Sequence, residues 1–127
     1  MNGKAERVAG LREIWAAGKA GLNGWCSIGN PFTAQGFDSV TVHMQHGALC
    51  YADLLPMLQA MRASGATLLA RVPWLDAGQV MKVLDAGCDG VICPMVGTAD
   101  EAARLVSYMR YPPEGIRSYG PTRAVYA

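Results

Sequence analysis

His46, in the segment GFDSVTVHMQHG over residues 36–47, stands just past the end of a short apolar run, and Arg71 closes the next apolar run in TLLARVPW. Asp85 follows within the helix-like stretch that leads into GCDGVICPMV. One base, one cation and one carboxylate on successive units can move a proton while holding a developing negative charge. Parallel α/β proteins gather such groups at the carboxyl ends of their strands. Each residue also has a plainer reading. His46 can be a loop histidine bonded to backbone, Arg71 a strand-end ion pair, and Asp85 a helix C-terminal residue before Gly87. His43 alternates with Val42 and Met44, which points it to the other face of the sheet and gives it a structural role. Cys50, four residues after His46, is the one thiol near a candidate base. The four cysteines form no CxxC pair of the kind structural zinc sites use, and buried free thiols are their expected state.

The elements that must position these residues alternate between strand and helix. Apolar positions Val8, Leu11, Ile14 and Trp15 predict a first helix within Glu6–Lys19, ended by the glycines of GKAGLNG. Strands are expected at Trp25–Ile28, Ser39–Met44, Thr67–Val72 and Gly90–Met95. Asp53 is read as the cap of a helix through Leu54, Leu58 and Met61, with Pro56 in its first turn. Asp76 caps a helix through Val80, Val83 and Leu84, with Gly87 as its stop. Thr98 and Glu101 form a capping box opening a helix through Leu105 and Met109 that stops before Pro112. The link Asn30–Asp38 is short for a parallel crossover. Either its helix shrinks to about one turn or the flanking strands do not pair in the usual way. The remainder, PPEGIRSYGPTRAVYA, has no periodicity.

The chain has 127 residues, of which 51% are hydrophobic, enough for one domain over 1–127 with a loop-like tail at 112–127. That is short for a closed eight-stranded barrel. With 11 basic against 10 acidic residues, nothing argues for a nucleic-acid partner, and a small molecule is expected instead. No segment reaches the ~18 apolar residues of a membrane span, and the charged N-terminus has no apolar leader core, so no membrane partner and a cytoplasmic location are expected. No GxGxxG follows a strand and no Walker A pattern occurs, which excludes the two common phosphate cradles. Strand–helix units about 25 residues apart imply a parallel sheet, either a doubly wound layer or consecutive units of a barrel.

The segments GWCSIGNPFTA, GFDSVTVHMQHG, ARVPWLDAGQVMKVLDAGCDGVICPMV, TADEAARLV and RYPPEGIRSYGPTRA resemble the HpcH/HpaI aldolases, the metal-dependent 2-oxo-acid aldolases of the phosphoenolpyruvate/pyruvate barrel superfamily. The resemblance runs over nearly the whole chain. It implies a partial (β/α)8 barrel, a helix followed by about four β/α units. It also implies a class II aldolase that cleaves 4-hydroxy-2-oxo acids to pyruvate and an aldehyde. By the same resemblance His46 is the base that manages the C4 hydroxyl proton, Asp85 is its partner, and Arg71 grips the pyruvyl oxygens. A divalent cofactor (magnesium, manganese or cobalt), a 2-oxo-acid ligand and a homo-oligomer are implied as well.

This chain departs from the family pattern at three places. His43 stands where the family usually has an aspartate. The family's two metal-binding carboxylates are expected beyond Ala127, so no metal ligand is assigned within this chain. The link Asn30–Asp38 is shorter than the family's. A second reading therefore stands beside the first, a non-catalytic half-barrel that self-associates or weakly binds oxo-acids. A third is a small doubly wound binding domain. Arg117 and Arg123 are expected to be solvated, or weak substrate contacts.

Overall fold

The computed structural model describes residues 10–30 and 36–126. Its elements are helix α1 (Leu11–Ala16), strand β1 (Asn23–Cys26), strand β2 (Ser39–His43), helix α2 (Tyr51–Met61), strand β3 (Thr67–Arg71), helix α3 (Ala77–Asp85), strand β4 (Gly90–Ile92) and helix α4 (Ala99–Met109). Short 3-10 turns cover Arg62–Ser64 and Ala124–Tyr126. The four strands form one sheet in the order β1-β2-β3-β4, and every neighbouring pair is parallel.

The link before β2 resolves differently from the expectation. Strand β1 starts and ends two residues earlier than the apolar run suggests, which leaves residues 27–38 for the crossover, about the dozen that a parallel connection needs. The two strands do pair, Asn23 with Ser39 through Cys26 with Val42. Positions 31–35 of that link, and positions 6–9 of the expected first helix, lie outside the described residues.

Period-two alternation divides the sheet into two unlike faces. Cys26, Val40, Val42, Leu68 and Ala70 share one face and are buried in a single cluster with Leu54, Leu58 and Met61 of α2 and Val80 and Val83 of α3. The opposite face carries Asn23 and Trp25 on β1, Ser39, Thr41 and His43 on β2, and Leu69 and Arg71 on β3. Asn23 and Thr41 hydrogen-bond across it, with Nδ2 donating to Oγ1 at 2.9 Å. One face thus makes the core, and the other holds polar groups.

Helix ends follow local chemistry with one correction. Asp76 accepts from the Gln79 amide at 2.8 Å, and Thr98 accepts from Glu101 N at 3.2 Å while Glu101 accepts from Thr98 N at 3.1 Å. Helix α2 instead begins at Tyr51 after Cys50, and Asp53 reaches back to accept from the Cys50 amide at 2.7 Å. Asp53 is therefore the reciprocal partner of a cap and not the cap. Pro56 consequently lies inside the helix and not in its first turn. The amino edge of the sheet is closed by α1, whose Leu11 amide donates to Thr67 Oγ1. No helix among the described residues is long and apolar enough to cross a membrane.

Candidate functional site

The last residues of β2 and β3, His43 and Arg71, are Cα partners in register, so both side chains leave one face at the carboxyl edge. Trp25, two positions lower on β1, lies under them. The His43 ring is 5.2 Å from the indole and 5.6 Å from the His46 ring, which it meets edge-on. The Arg71 guanidinium carbon lies 5.8 Å from the centre of the same indole. A tryptophan platform thus holds a cation and an imidazole side by side. His46 reaches the group from the loop after β2 and is exposed, whereas His43 is only 7% exposed.

Two polar atoms of this cluster, His43 Nδ1 and Arg71 Nε, are buried without a hydrogen-bond partner, as is Gln45 Oε1 of the loop after β2. Native interiors seldom leave such groups unpaired, and two of them side by side at the strand ends are a candidate contact for a polar ligand. Burial first, then the positive charge of Arg71 and the neighbouring His46, lowers the His43 pKa from its ordinary value of 6.5. Its imidazole is therefore uncharged at neutral pH.

The charge of the cluster decides what it accepts. Arg71 provides a fixed cation, and the charged or titratable groups acting on His43 are Arg71 and His46, with no carboxylate beside them. Among the described residues no group of three or more His, Cys, Asp or Glu is placed to hold a metal ion. These residues fit an anion and do not fit a divalent cation.

Asp85 is elsewhere. Helix α3 carries the chain from the carboxyl end of β3 back to the start of β4, and Asp85 is its last residue, toward the amino edge. The structure does not bring it to His46. Its carboxylate takes a hydrogen bond from Arg117 Nη2 at 2.7 Å, and its carbonyl accepts from the Arg123 amide at 3.0 Å. Arg117 also lies 4.8 Å from the Tyr111 ring, and Arg123 Nη1 donates to the Ala86 carbonyl. Both arginines, expected to be solvated, instead pin the tail onto the end of α3. Sequence reasoning misses Trp25. The signal for Trp25 is its strand parity, usable only once β1 is registered against β2.

Four parallel strands with helices on one face and a polar cluster at the carboxyl edge define a piece of a TIM-barrel-like α/β protein. Residues 27–127 match the family model described as HpcH/HpaI aldolase/citrate lyase, and the chain belongs to that family. It is 37% identical over 118 residues to a hydroxypyruvate/pyruvate aldolase of Rhizorhabdus wittichii, covering 89% of this chain and 47% of that one. It is 32% identical to a 4-hydroxy-2-oxovalerate aldolase of Rhodococcus jostii, covering 92% and 48%. The crystal structure of an HpcH/HpaI aldolase from Desulfitobacterium hafniense superposes with a TM-score of 0.81 at 25% identity, covering 91% of this chain and 47% of that one. The chain spans about half the length of the curated relatives it matches.

Proposed function

We propose that this chain carries the oxo-acid-holding half of an aldolase-type lyase that cleaves 4-hydroxy-2-oxo acids to pyruvate and an aldehyde. The observation that carries the reading is the gathering of Arg71, His43 and His46 about Trp25 at the carboxyl edge of the sheet, in a chain of the aldolase family. Arg71 takes the carboxylate and opposes the negative charge that gathers on the enolate as the carbon–carbon bond breaks. His46, exposed at the mouth, takes the hydroxyl proton. Asp85, expected to support His46, is assigned to anchoring the tail through Arg117. The divalent metal implied by the family finds no group of three or more ligating side chains among the described residues, so a metal-dependent reaction needs further ligands. Strands β1 and β4 end the sheet with no further strand beside them among the described residues, which supports association with other copies.

The test is pyruvate release from 4-hydroxy-2-oxovalerate by the 127-residue chain with magnesium, manganese or cobalt supplied. Any release by the chain is expected to fall about 10²-fold or more in both Arg71→Ala and His46→Ala. Release unchanged in either variant contradicts the role proposed for that residue. The absence of a carboxylate from the cluster favours a second reading, a site that binds oxo-acids without turning them over. A folded chain that binds pyruvate, yet neither cleaves substrate nor exchanges the pyruvate methyl protons into heavy water with any of the three metals, establishes that reading in place of the first.

A further inference from the structure

The feature that the roles of Arg71 and His46 leave unused is His43. It ends β2 in register with Arg71, it is 7% exposed, and its Nδ1 is buried with no partner. A histidine retained only for packing has no need of an orphaned ring nitrogen beside a guanidinium. Arg71 is its neighbour in register and acts electrostatically on the ring, so a ligand held by Arg71 is the group that would supply the missing bond. We propose that His43 is a third contact to the bound oxo-acid, offering its Nδ1 to the carboxylate that Arg71 holds. This inference rests on the oxo-acid reading of the pocket.

A pH signature follows from the surroundings of the ring. The charged and titratable groups facing His43 are Arg71 from β3 and His46 from the following loop, while β1 faces it with the indole of Trp25. Burial and both neighbours hold the free imidazole uncharged at neutral pH. A carboxylate brought against it works in the opposite direction, favouring the protonated ring. Binding the anion therefore takes up a proton, and by linkage the affinity rises as the pH falls through the titration of His43 in the complex. One linked proton sets the ceiling at about tenfold in affinity per pH unit.

The experiment is calorimetric titration of pyruvate into the 127-residue chain between about pH 5.5 and 7.5, in two buffers of different ionisation enthalpy. The wild-type chain, Arg71→Ala, His43→Asn and His43→Phe are compared. Expected are tighter binding and proton uptake at the acid end for wild type. The Asn variant keeps a donor that does not titrate, so it binds with a flat pH profile. The Phe variant binds at least about tenfold more weakly. A His43→Asn chain that keeps the wild-type pH slope overturns the inference, since His46 would then carry it. So does a His43→Phe chain of wild-type affinity. In both cases Arg71-dependent binding would leave the oxo-acid reading standing. No pyruvate binding to wild type, or binding indifferent to Arg71→Ala, overturns the oxo-acid reading and the inference together. If His43→Phe fails to fold by circular dichroism, the slope of His43→Asn decides alone.

Discussion

Arg71 and Trp25 show how little of a site a single residue carries. A guanidinium alone is a common surface group, but over an indole and beside an uncharged imidazole it becomes an oriented donor for a planar carboxylate. The strand-end position of Arg71 is legible in sequence because it closes an apolar run directly, and that of His46 because it lies in the loop just after the neighbouring run. Alternation with Val42 does place His43 on the face opposite the core, but its pairing with Arg71 is not legible, because that needs the register of β2 against β3. The thiols are also decided residue by residue. Burial, followed by the charge of Asp89, pushes the Cys88 thiol up to about 12, while Cys50 is exposed at the start of α2. Under native conditions a disulfide exchange reagent near neutral pH should modify Cys50 first, and Cys88 only as the chain unfolds. Equal labelling rates followed by peptide mass spectrometry would contradict that assignment.

Elements are legible where side chains cap them. Asp76 and the Thr98–Glu101 box mark α3 and α4 correctly because an oxygen at the cap and a carboxylate at the third position leave little alternative. The start of α2 is easily misplaced because its cap position holds Cys50, a weak signal, while Asp53 carries the chemistry one turn later. Hydrogen bonds from Gly97 and Thr98 first, and then Arg104, hold the Glu101 carboxyl below its ordinary value of 4.5. A carboxylate whose folded pKa is depressed adds stability above its unfolded value and loses it as the pH falls through the folded one. Glu101→Gln should therefore lower the melting temperature near neutral pH and flatten its decline below about pH 4.5. Melting curves parallel to wild type at all pH values would contradict this.

The displacement of Asp85 from its expected place has an element-scale cause, because its role depends on which end of the crossover helix it occupies. Nine residues of α3, Ala77–Asp85, rise about 13 Å from the carboxyl edge toward the amino edge. The Asp85–Arg117 pair there is largely covered, with side chains 20% and 12% exposed respectively. Asp85→Ala leaves a guarded guanidinium without its anion and should reduce the unfolding free energy by about 1–3 kcal/mol in urea titrations. It should leave pyruvate affinity close to wild type. A stable variant with lost pyruvate binding would return Asp85 to the site.

At the scale of the molecule, a sheet with one apolar face covered by helices and a second, polar face is what a TIM-barrel-like member of this family requires. Helices bury Val40, Val42, Leu68 and Ala70, whereas Trp25 remains 46% exposed over the polar face. The partial barrel is legible in sequence from the strand–helix spacing and the family motifs. The pairing of β1 with β2 is not, since two residues of strand boundary decide whether the crossover is long enough. Two sheet edges unpaired among the described residues predict association, so sedimentation velocity should show a size that grows with concentration. A monomer at every concentration would contradict it.

The central claim is that the carboxyl edge of this half-barrel holds an oxo-acid through Arg71 using its own residues. The measurement that tests it most directly is pyruvate binding to the 127-residue chain followed by ligand-observed NMR, with and without added magnesium, and repeated with Arg71→Ala. Binding that is present without metal, unaltered by magnesium and lost in the variant is the predicted result. Binding that appears only with metal, or that survives Arg71→Ala, would contradict it.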